Sequence, residues 1–147
     1  MPRIVRPMYS DPTDGLPQAG SHRRCLLGVR PAGTNADIDL DPVGDVNGDV
    51  VVNRKGLSVS ADWRQLPGYM IPEELEDDTN AASGKGMKVY VHGTGAFAEG
   101  VVAAALEMLL KPHGVDSGVV CPIATVSLNQ YQADLQATRA HWVDDPS

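Results

Sequence analysis

The chain is short of aromatic residues: only 5% of its 147 positions are Phe, Trp or Tyr. A hydrophobic content of 42% is nevertheless enough for one core, so that core must be built from Val, Leu, Ala and Met. Basic residues are also scarce. Twelve Lys and Arg face nineteen Asp and Glu, for a formal charge of -7. A protein that grips duplex DNA or RNA through its phosphates presents a basic surface, so nucleic-acid binding is disfavoured. Two cysteines do not make a disulfide framework. Cys25 and Cys121 each sit in an apolar run ("CLLGV", "VVCPI"), which predicts buried, reduced thiols. No apolar run approaches the roughly 20 residues of a membrane span, and "MPRIVRPMYSDPTDG" has no apolar core of a signal peptide. The expectation is a cytoplasmic protein, exported if at all without a cleaved signal peptide.

The usual sites of chemistry are missing too. Neither cysteine belongs to a C-x-x-C pair, and His22, His92, His113 and His141 are scattered without metal-ligand spacing, so no metal site is expected. "HGTGAFAEG" is glycine-rich, but no Lys-Ser or Lys-Thr follows it and its spacing is not a dinucleotide fingerprint. No G-x-S-x-G elbow occurs. Asp45, Asn47 and Asp49 fall at positions 1, 3 and 5 of an EF-hand-type loop. Val50 and Gly56 then stand where that loop needs its glycine and its bidentate carboxylate, so a polar hairpin turn is the better reading.

What is present is a series of short strands. Fifteen glycines and eleven prolines favour loops and short elements over long helices. Residues 1–22, rich in Pro, Asp, Gly and Ser, read as an extended N-terminal arm, and residues 23–147 as a single domain. Alternation and β-branched runs predict strands near 25–30, 49–53, 57–60, 87–92 and 118–123. "VVAAALEMLL", residues 101–110, is ambiguous between helix and strand, with Ala, Leu, Glu and Met favouring helix. Ser127 with Gln130 three residues on is a capping-box pattern. Leu128, Tyr131, Leu135, Thr138 and Trp142 follow as one apolar stripe of a helix over 128–142 that packs on the core.

One strand poses a functional question. In "RKGLSVSADW", Leu57 and Val59 alternate with Ser58 and Ser60, and Trp63 follows closely. Small hydroxyls on one face leave room for a ligand and supply hydrogen bonds to it; they equally suit a half-exposed strand facing water. An early strand ending in Arg30 ("LLGVR"), the strand "GLSVS", then "MIPEEL", a later strand and the final helix resemble the Arg-Ser-Glu group of ADP-ribosyltransferases. Over residues 24–142 they resemble in particular the compact transferase-like toxin effectors exported by bacterial type VI secretion.

The resemblance implies an α+β fold with a curved or split antiparallel β-sheet, few helices and a C-terminal packing helix. It implies NAD as cofactor, with Arg30 on its phosphates and Ser58 and Ser60 lining the cleft. Glu107 takes the catalytic glutamate's place by order alone, because the family's glutamate signature, a Glu or Gln two residues before the catalytic Glu, is absent. Trp63 would wall the cleft and His92 would contact a ribose or phosphate. The expected partner is a protein target or an immunity protein. Two alternatives stand beside this: a non-catalytic binding module of the same fold, and an acidic immunity or antitoxin-type partner suited to a basic toxin.

Overall fold

The computed structural model describes residues 1–22, 25–29, 50–65, 86–112 and 116–145. The chain is α+β: a mostly antiparallel sheet with one α-helix among the described residues. Seven strands form the main sheet. They are β1 (Ile4–Tyr9), β3 (Leu57–Ser60), β4 (Met87–His92), β5 (Gly100–Ala103), β6 (Leu106–Leu110), β7 (Ser117–Pro122) and β9 (Val143–Asp144). Their order is β5-β6-β7-β3-β1-β4-β9. The short strands β2 (Val50–Val51) and β8 (Val126–Ser127) pair separately as a two-stranded ribbon, and α1 (Leu128–Gln136) follows β8 directly. No helix among the described residues is long and apolar enough to cross a membrane.

Period-2 alternation gives the sheet two different faces. Ile4, Met8, Leu57, Val59, Tyr90 and Val120 point inward, where Tyr131, Leu135 and Trp142 cover them. The outer face carries a smaller cluster of Val5, Val89 and Val91, with Trp63 packed on it. Both cysteines are buried and not joined in a disulfide, as their apolar settings predict.

Residues 1–22 do not hang as an extended arm. Ile4–Tyr9 pairs along its whole length with Met87–His92 and lies inside the sheet, while Ser10 bridges Pro17 across a tight loop. Pro7 lies within this strand, although proline cannot donate to a ladder. The register removes the penalty. Val5 pairs with Ser60, and Tyr9 N donates to Cys25 O, so the odd-numbered backbone groups of β1 face away from β4. The missing Pro7 donor falls where β1 and β3 have already separated.

That separation is the main irregularity of the sheet. Val5↔Ser60 is the one β1–β3 pair, so the sheet is almost split there. Arg6 spans the gap. Its side chain is only 2% exposed, and its guanidinium donates to Ser58 O at 2.8 Å and to Leu26 O at 2.9 Å. The planar fork of five N–H donors suits two divergent carbonyls.

Other expectations near this seam need correction. The strand expected at 25–30 is not one over its described part, Cys25–Val29. Cys25 has φ +61°, which breaks an extended path, and Leu27 bonds instead to the Gln18–Gly20 segment. Arg30, and the loop holding Asp45, Asn47 and Asp49, lie outside the described residues. Residues 101–110 form the hairpin β5–β6, against their helix propensity. Leu106 and Met108 alternate into the core, and five register pairs with β7 outweigh a preference of a few tenths of a kcal/mol per residue, about the scale of such propensities.

The helix is shorter than its stripe. Ser127 caps it by accepting from Gln130 N at 3.1 Å, but the Gln130 side chain bonds Asp134 and not the cap, so half of the capping box forms. After Gln136 the chain tightens into a 3-10 turn at Arg139–His141, which carries the stripe on to the buried Trp142. Thr138 Oγ1 donates to Leu135 O and accepts from Trp142 Nε1 at 2.9 Å, so it satisfies the indole N–H in the core. Tyr131 pins α1 to the sheet: its hydroxyl accepts from Leu57 N at 2.9 Å and donates to Val120 O. This needs a glycine at 56, which has φ +149°; a Cβ there would lie 2.1 Å from the Tyr131 hydroxyl.

Two substitutions measure these constraints by urea unfolding. Arg6→Met strands two buried carbonyls, and a loss of about 3 kcal/mol is expected, the range for hydrogen bonds to a charged group. Gly56→Ala combines a steric clash with backbone strain, and should cost on the order of 3 kcal/mol. An unfolding midpoint unchanged in either variant would show that the seam or the tyrosine contact carries no stability.

Candidate functional site

An open cleft of about 1160 Å³ lies at the end of β4. His92, the last residue of β4, forms its base, because the inward face of that strand runs out there from core into cleft. The glycine-rich stretch after His92 makes one wall. Gly93 has φ +85°, and a Cβ on it would come within 2.0 Å of Pro2 O, so only glycine lets this loop cross the start of the chain. Gly95 N then donates to Met1 O at 2.9 Å. A second wall is the β5–β6 hairpin with its Ala103, Ala104 and Ala105, and the third is α1 and the turn after it, with Asp134, Thr138 and His141.

His92 is the unusual group of this cleft. It is 4% exposed, and its Nδ1 is buried without a hydrogen-bond partner among the described residues. Its ring lies 5.3 Å from Trp142 and 6.4 Å, edge to face, from His141. Burial first, then His141 and the α-amino group of Met1, hold its pKa below the usual histidine range, so it is neutral at pH 7. The turn bearing His141 is fixed from the other side. Arg139 donates to Pro17 O at 2.7 Å and pairs with Asp14 at 2.7 Å and Asp11 at 3.2 Å. Asp14 is held below the usual carboxylate range by hydrogen bonds from Arg139 and Leu16 N, and Asp11 by hydrogen bonds from Thr13.

The residues expected from the sequence are divided between faces of the sheet. Ser58 and Ser60 are half-buried on the outer face, opposite Val119 and Ser117 of β7. Ser58 Oγ accepts from Lys111 Nζ at 2.9 Å, and it lines a smaller cleft of about 420 Å³ with Arg54, Lys55 and Lys111. Glu107 shares that face but stands one register step away, opposite Cys121, where Asn53 Nδ2 donates to it at 2.8 Å. Burial, opposed in part by a hydrogen bond from the Arg54 backbone, pushes the Cys121 thiol up. Trp63 lies over Val5, Val89 and Val91 with the Arg64 guanidinium 4.7 Å from its ring, and it does not line the Ser58 cleft. His92 faces the opposite side of the sheet from all of these. Ser58 and the three cations come together; Glu107 is near; Trp63 and His92 are apart.

The sequence reading did not assign Asp134, Thr138, His141 or Glu99 to a site. The stripe Leu128–Trp142 marked the buried face of the helix, but Asp134 and His141 each adjoin a stripe residue, at the margin where that face meets the cleft. The stretch "HGTGAFAEG" was the other signal; Gly93 and Gly95 in it allow close packing against the backbone of Met1 and Pro2. Among the described residues no three His, Cys, Asp or Glu side chains are grouped to hold a metal ion.

A lowered histidine pKa has a definite consequence for stability. The unfolded chain takes up a proton at His92 near pH 6.5, and the folded chain only at lower pH. Stability from this group is complete above about pH 6.5 and is lost as pH falls through the folded pKa. His92→Asn should remove that part of the acid-side decline in urea midpoint between about pH 7 and 5. Superimposable pH profiles for the two proteins would disprove the assignment.

Comparison with family models, curated proteins and solved structures returned no match to this chain.

Proposed function

We propose that this chain is a ligand-binding domain that takes a small organic molecule into the cleft above His92. The observation that carries the reading is the cleft itself. About 1160 Å³ is ample for a small organic ligand, and its base is a buried imidazole with an unpartnered nitrogen. An unmade hydrogen bond at a buried polar atom costs roughly 1–3 kcal/mol, which a ligand would return. The Ala and Gly walls leave space and contribute little chemistry, so recognition would rest on His92, His141, Asp134 and Glu99.

A second reading is favoured by one observation, the cationic cleft beside Ser58. Arg54, Lys55 and Lys111 have the chemistry to hold a pyrophosphate, with Ser58 beside them. In that reading the fold is ADP-ribosyltransferase-like and the chain is a toxin-like effector of the kind exported by type VI secretion. It would use NAD against a protein target, with Ser58, Ser60 and Glu107 at the reacting end. A non-catalytic module or an immunity-type partner would keep the same outer cleft without the transfer.

A fragment library screened by amide chemical shifts separates the two. The first reading predicts hits that shift the amides of Gly93, Gly95, Ala103 and Thr138, with loss of those shifts in His92→Ala. A screen with no hits at these positions would sink it. Nicotinamide release from NAD, lost in Lys111→Ala, would support the second reading; absence of both release and NAD binding would dismiss it.

A further inference from the structure

We propose that the cleft above His92 selects a cationic organic ligand, a primary amine or a guanidine; this rests on the reading of that cleft as a ligand site. Two carboxylates line it, Glu99 from the loop before β5 and Asp134 from α1. Neither has a basic side chain within ion-pair distance among the described residues. Each spends one oxygen locally. Glu99 Oε2 accepts from Leu110 N at 2.8 Å, and Asp134 Oδ1 accepts from Gln130 Nε2 at 2.9 Å. The second oxygen of each is left for a ligand donor.

The independent observation is His92. It is more than nine-tenths buried, it lines the cleft, and its Nδ1 lacks a partner among the described residues. A neutral imidazole offers one accepting nitrogen; Nδ1 is itself covered, so a small turn of the ring toward the cleft would present it to an ammonium or guanidinium N–H, which donates with the added strength of a charged donor. No Lys or Arg side chain is among the described residues lining the cleft; the positive group there is the α-amino group of Met1. An anionic ligand would therefore meet two carboxylates with little to neutralise it, whereas a cation gains from both. The formal charge of -7 works in the same direction at longer range.

Calorimetric titration of the whole chain with butylamine, agmatine and benzylamine, against butyrate, benzoate and ADP-ribose, tests the charge preference. The amines and the guanidine are expected to bind, more weakly as salt rises, and to shift the Gly93 and Thr138 amides. The acids should leave those amides unmoved. Glu99→Gln and Asp134→Asn keep the local hydrogen bonds and remove only charge, so the double variant should fold normally and lose at least about tenfold in amine affinity, the size of one charge-assisted contact. Acids binding in the cleft as well as amines do, amines that fail to bind, or full affinity in the folded double variant would overturn the charge preference. Failure of probes of either sign to reach the cleft, together with an empty fragment screen there, would remove the ligand-site reading beneath it.

Discussion

A guanidinium set into the seam of a nearly divided sheet is the constraint on which the rest of this structure depends. The strands β5-β6-β7-β3 and β1-β4-β9 share the single backbone pair Val5↔Ser60. Beyond that pair the two halves diverge, and carbonyls that a ladder would have satisfied are left without strand partners. Burying a charge to meet them is expensive unless its donors are used. Arg6 directs one terminal nitrogen to Ser58 O and the other to Leu26 O.

The walls of the candidate site come from both sides of that seam. His92 and the glycine loop belong to the half containing β4. The β5–β6 hairpin belongs to the other half, and α1 is tied to it through Tyr131, whose hydroxyl joins Leu57 and Val120. Arg6 joins the seam to Ser58 and Leu26, and Arg139 holds the turn of His141 to the loop of Asp11 and Asp14.

The sheet also separates two kinds of charge. Its outer side has a small cleft rich in cations around Ser58; its inner side has a large one with carboxylates around His92. A ligand in one does not reach the other. Of the two serines of β3, Ser58 borders the small cleft, where the Lys111 ammonium approaches it, and Ser60 is not among that cleft's lining residues. Glu107 accepts from Asn53 Nδ2 and stands opposite Cys121.

Local pattern was enough where one face of an element is buried and the other is not. Leu57–Ser60 and Met87–His92 announce themselves by alternation, Ser117–Pro122 by its apolar run, and the helix by the stripe from Tyr131 to Trp142 with a serine cap. The burial of both cysteines was legible from their neighbours. Only the tertiary structure decided that Ile4–Tyr9 is an interior strand, because the tolerance for Pro7 and the burial of Arg6 depend on a gap made by a strand about fifty residues away. It decided that residues 100–110 pair as a hairpin, since their helix propensity yields to strands supplied by β7. It likewise decided the site. His92, Glu99, Asp134 and His141 carry no spacing that relates them; they meet because separate elements end around one cleft, and a sequence pattern records the period of an element but not where its end arrives.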